Sequence, residues 1–117
     1  MLWSQAVKLN YGNACAYCLT DENLNSHHIF GRNNKSVRWE LDNGICLCAG
    51  HHTFSSSFSA HKTPTEFTYW LESVPSFGRI KLDALQAKAH EPLKVTSEYL
   101  QERIEFFKDF KNKLENL

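Results

Sequence analysis

The sequence predicts a small α+β chain with a metal-stapled, loop-rich first half and a helical second half. Three observations lead there. All four cysteines and five of the six histidines fall between Cys15 and His61. The segments among them are short, strand-like and separated by polar turns. From Thr63 onward the apolar residues recur at helical spacing. A chain of 117 residues, 42% hydrophobic, with three Trp, four Tyr and eight Phe, is globular and can bury one modest core. Its polar first half needs a staple, which a bound ion would supply. Residues 1–62 therefore read as a metal-bearing core with an N-terminal helix. Residues 63–117 read as a helical extension packed on it within a single domain.

Residues 3–10 suit a short helix with Trp3, Ala6 and Val7 inward, stopped at Gly12. Cys15-Ala-Tyr-Cys18 is a metal knuckle and residues 20–23 a polar turn. Residues 25–30 suggest a strand ending at Gly31. Val37–Leu41 alternates apolar and charged residues, as a half-buried strand would. Asp42-Asn43-Gly44 signals a tight turn before a buried strand over 45–48. A helix over 51–59 would carry Phe54 and Phe58 on one side. Thr63, Pro64 and Glu66 agree on a helix start with a capping box. Phe67, Trp70, Leu71 and Val74 then give it one apolar face, and Pro75 closes it. A helix over 77–90 uses Ile80, Leu82, Leu85 and Ala89 as apolar positions. Glu91-Pro92 interrupts, and a last helix runs from Thr96 or Ser97 towards Leu114 with a Leu100, Ile104, Phe107 stripe widened by Phe106 and Phe110.

The chemistry sits in the first half. Cys15-x2-Cys18 and Cys48-x2-His51 are two short knuckles that can converge on one tetrahedral zinc ion, two thiolates from one and a thiolate plus imidazole from the other. Buried free thiols are the plainer alternative, but four cysteines at this spacing beside a histidine favour zinc. Cys46 shares a strand face with Cys48, yet only Cys48 stands two residues short of a histidine, so Cys46 is assigned to the core. His27 and His28 are adjacent on a strand and must point to opposite faces.

Asn43 follows His28 by fifteen residues, and His52 follows Asn43 by nine. In these residues the chain resembles the HNH endonuclease family. The matching text is Cys15-Ala-Tyr-Cys18, His27-His28-Ile29, Asp42-Asn43-Gly-Ile-Cys-Leu-Cys48 and His51-His52, in order, over about residues 13–62. The resemblance implies a ββα-metal core, two antiparallel strands and a helix around one catalytic divalent ion. It implies His28 as the general base, His27 and His52 as ligands of that ion, and Asn43 as the residue that holds the base loop. The ion would be Mg²⁺, Mn²⁺ or another transition metal, in addition to the structural Zn²⁺. An imidazole at position 27, often Asp in the family, tilts the site towards transition metals. His51 stands where the family usually has Cys, a change zinc accepts. His61 either completes the catalytic shell, contacts phosphate or is a polar loop residue.

Arg32, Lys35 and Arg38 are the natural DNA-binding cations, against the alternative of a solvated loop, while Trp39 reads as core. Net charge is zero, which argues against a broad basic face and for a local patch. The resemblance makes double-stranded DNA the expected substrate and a phage protein a further partner, while a share of the aromatic faces of Phe67, Trp70, Phe106, Phe107 and Phe110, otherwise read as core, could form a homodimer interface. It also suggests phage or mobile-element recombination, packaging or homing. With no leader-like start and no apolar run of membrane length, a cytoplasmic location and no membrane association are expected. Two rivals share the scaffold: a non-catalytic zinc-binding nucleic-acid module, and a zinc-knuckle adaptor for another protein.

Overall fold

Gly12 and Asn13, at φ 66° and 55°, turn the chain out of its first helix, α1 (Leu2–Asn10). The computed structural model describes residues 2–75 and 77–116. After α1 come β1 (Leu24–His28), a 3₁₀ turn (Leu41–Asn43), β2 (Gly44–Cys48) and a π-helical turn (Gly50–Phe54). The helices α2 (Pro64–Ser73), α3 (Gly78–Ala89) and α4 (Ser97–Glu115) follow. The result is a small α+β protein with a two-stranded antiparallel sheet. None of its described helices is long and apolar enough to cross a membrane.

β1 and β2 pair with Leu24 opposite Cys48, Ser26 opposite Cys46 and His28 opposite Gly44. Strand alternation then sorts the side chains. Ser26 and His28 meet α1, where Ser26 Oγ donates to the Ser4 carbonyl at 2.7 Å and His28 stacks on Trp3. Ile45 and Leu47 leave the other face of β2 for a core shared with Cys15, Val37, Phe67, Leu71, Phe77 and Leu85. That core draws on both halves of the chain. A second cluster joins α1 to α4 through Trp3, Ala6, Val7 and Phe107.

Gly44 is what allows α1 to lie so close. A Cβ there would stand 2.3 Å from Val7 Cγ2 and 2.8 Å from Trp3 Cζ2.

Several expectations need correction. Residues 37–41 form turns, not a strand: Val37 N and Arg38 N both donate to the Asn34 carbonyl, and Glu40 N to Val37 O. The alternation that suggested a strand arises because one turn buries Val37 completely while Arg38 and Glu40 are only partly buried. The helix over 51–59 is only the turn 50–54. The Ser55 hydroxyl accepts from the Ser57 and Phe58 amides, and such local bonding competes with helix propagation. Phe54 is exposed, whereas Phe58 packs on Tyr17 and Trp70. Thr63 precedes α2, but its hydroxyl donates to Ser59 O and accepts from Ser59 N, so no capping box forms. Ile80 faces solvent, as does Phe106 in part. By contrast, Thr96 caps α4 by accepting from Tyr99 N at 3.1 Å, worth about 1 kcal/mol.

Candidate metal centres and the cleft beside them

The first cluster gathers Cys15, Cys18, Cys48 and His51, whose ligand atoms lie within 4.8 Å of one another. Cys18 Sγ and Cys48 Sγ are 3.8 Å apart, and His51 Nδ1 lies 3.2 Å from Cys48 Sγ and 3.8 Å from Cys15 Sγ. A tetrahedral zinc ion with its usual Zn–S length sets its sulfurs about 3.8 Å apart, so the donors fit a structural zinc. Burial raises the Cys15 thiol, but backbone hydrogen bonds at Cys18, Cys48 and Tyr17 and the His51 side chain outweigh it and bring it down to about 6. A thiol so lowered offers the thiolate that a metal needs. Cys46 lies outside the cluster, fully buried, and burial pushes its thiol up to about 11. The Tyr17 ring lies 4.6 Å from His51 and 5.3 Å from Trp70 of α2, tying the knuckle to the helical half.

The second cluster is His27, His52 and His61, again with ligand atoms within 4.8 Å. His52 follows His51 on the π-helical turn, so consecutive side chains diverge to the two clusters. His61 returns to His52 through a short loop, because Ala60 N donates to His51 O and His61 N to His52 O. The two Nε2 atoms of His52 and His61 are 3.1 Å apart. Burial, then the charges of His52, His61 and His28, lower His27 to about 3. Burial and His61 lower His52. Three imidazoles gathered so closely can present three nitrogen lone pairs to one ion, a donor set that suits transition metals.

His28 leaves the opposite face of β1. Its ring stacks on Trp3 with centroids 3.9 Å apart and planes 10° apart. The Trp3 indole is itself fixed, donating from Nε1 to the Glu40 carbonyl at 2.9 Å. His28 Nε2 is buried and has no hydrogen-bond partner among the described residues. Burial holds the imidazole below its usual 6.5; a backbone hydrogen bond at Arg38 opposes this, and the Arg38 and Arg32 charges add to the lowering.

Asn43 is fully buried and clamps the segment that follows His28. Its Oδ1 accepts from Phe30 N at 2.8 Å, its Nδ2 donates to Phe30 O at 3.0 Å, and its carbonyl accepts from Ile29 N at 2.9 Å. Removing the amide would strand two peptide groups, each at a cost of about 1–3 kcal/mol.

One cleft of about 520 Å³ is lined by His27, His28, His52 and His61 together with Arg32 and Arg38. Lys35 is exposed and does not line it. Trp39, expected in the core, packs against the Trp3, Ala6, Val7 and Phe107 cluster and also lines the cleft, with the Arg38 guanidinium 4.6 Å above its ring. Trp3 and Ser4 also line it, and nothing in the sequence placed them there. Their contacts cross more than twenty residues, and local spacing carries no signal for such a pairing. Comparison with models of protein families, with curated proteins and with solved structures finds no match.

Proposed function

We propose that the protein is a metal-dependent endonuclease of the HNH type that hydrolyses DNA phosphodiester bonds, built on a ββα-metal core with a structural zinc. One observation carries this reading. A single cleft joins a tri-imidazole cluster, an imidazole with an uncommitted nitrogen, and two guanidinium groups. The order of the residues in the chain supports it: His27 and His28 on β1, Asn43 ahead of β2, and His52 on the turn after it.

His27, His52 and His61 would hold the divalent ion. Bound there, it would supply Lewis-acid stabilisation of charge on the phosphoryl and leaving oxygens. The remaining work belongs to the chain. His28, kept neutral, takes a proton from the attacking water at Nε2. Asn43 positions the base by fixing the backbone beyond it. Arg32 and Arg38 bind the phosphate and charge the wall beside the base. The Cys15, Cys18, Cys48, His51 knuckle holds the turn that carries His52 in place.

The test is nicking of supercoiled plasmid with Mg²⁺, Mn²⁺ or Ni²⁺, wild type beside His28→Ala at equal zinc content. Wild type should nick, and the variant should lose about 10²- to 10⁴-fold in rate, the usual worth of a general base. Undiminished nicking by His28→Ala would remove the base from this scheme. A zinc-loaded wild type inert with every ion on the plasmid and on single-stranded DNA alike would favour a non-catalytic nucleic-acid module.

A further inference from the structure

The tri-imidazole cluster has ground on both sides. His52 lines the cleft described above and also a second groove, of about 650 Å³, whose other walls include Asn23, Asn25, Thr53 and Phe54. A polymer crossing the cluster would pass from one to the other. The two arms differ in chemistry. The cleft arm carries Arg32 and Arg38. The second arm has no charged side chain among its described lining residues: it offers two amides, a hydroxyl and the Phe54 ring. Phe54 is 69% exposed at the end of the same turn that carries His52. A lone exposed Phe is ordinary on a protein surface. This one stands two residues from His52, in a groove that His52 also lines.

Resting on the nuclease reading, we infer that the substrate is an unpaired DNA segment, its phosphate held by Arg32 and Arg38 and an adjacent base stacked on Phe54. A duplex presents phosphates along its whole outer surface, so gripping one across both arms calls for cations in both. An aromatic face can take a base only when that base is out of its stack. The amides of Asn23 and Asn25 can meet base edges, which duplex pairing would occupy. The buried Nε2 of His28 points the same way, since a flexible strand can dip into the cleft where a stiff duplex lies across its rim. A chain with 13 basic and 13 acidic residues has little charge with which to hold a duplex, and stacking replaces part of what charge would supply.

Binding and cleavage are to be measured separately on three DNAs of one sequence: a single strand, its matched duplex, and the duplex with an unpaired stretch. Binding is read by fluorescence anisotropy without added divalent ion, and cleavage with Mn²⁺, always with zinc-loaded protein. The single strand and the interrupted duplex should bind at least about tenfold tighter than the matched duplex, and Phe54→Ala should lose roughly five- to a hundredfold in single-strand affinity while Phe54→Trp keeps it. An abasic site walked along the strand should, at one position, cost the wild type what Phe54→Ala costs and cost that variant nothing more. A purely structural Phe54 would leave the two losses additive. Equal affinity for strand and duplex, or an unchanged Phe54→Ala at equal zinc content, would overturn the inference. A strand preference without cleavage of any of the three DNAs would support the groove and overturn hydrolysis.

Discussion

His28 shows how one side chain's surroundings set its chemistry. Its ring is pressed flat against Trp3, and two arginine charges stand beside it. The form that accepts a proton is the neutral one. Because its ionisation lies below the usual 6.5, the neutral form persists further into acid than in free imidazole. The acid limb of nicking rate against pH should therefore lie below pH 6.5, and Arg38→Gln should move it upward by removing a charge that lowers it. A limb centred above 6.5 would contradict this. Stability follows the same sign. Between 6.5 and the lowered folded value the unfolded chain binds the extra proton, so this contribution is present above 6.5 and lost as pH falls. The zinc-type cluster was legible at this scale from the knuckle spacing, and His27 and His52 were expected together from the family resemblance, while His61 was left open between a ligand, a phosphate contact and a loop residue. Trp3 was not legible, since its role depends on where α1 lies and no interval encodes that.

Among the elements, the approach of α1 to β2 decides most. Gly44 leaves no room for a methyl group between Val7 and Trp3. Gly44→Ala must lift α1 off the sheet or force both side chains from their rotamers, at about 1–3 kcal/mol. Urea unfolding should show that loss, and nicking should fall further than stability explains as Trp3 leaves His28. An unchanged midpoint would mean that the helix sits less tightly than the contacts require. The helices of the second half were readable because each carries its own stop, start or stripe. Where one signal was read alone, it failed. The alternation at 37–41 came from a single buried Val37 in a turn, and the run 51–59 was diverted by the Ser55 hydroxyl.

At the scale of the whole molecule, the halves are not separable. Cys15, a member of the cluster with Cys18, Cys48 and His51, lies in one core with Phe67, Leu71, Phe77 and Leu85 from the helical half. Tyr17, beside His51, meets Trp70 of α2 with ring centroids 5.3 Å apart. Chelating the zinc should therefore loosen the helices as well as the knuckle. The expected readout is loss of near-ultraviolet circular dichroism together with a red shift of tryptophan emission. Loss confined to the knuckle, with the tryptophan signal intact, would show that the helical half stands alone. The pairing of α1 with α4, through Trp3 and Phe107, has a bearing on how the chain is made. A ribosome releases α1 well before α4 exists. The indole that lies over His28 thus lacks the Phe107 side of its packing until the closing helix emerges, so the wall it gives the cleft is completed late in synthesis.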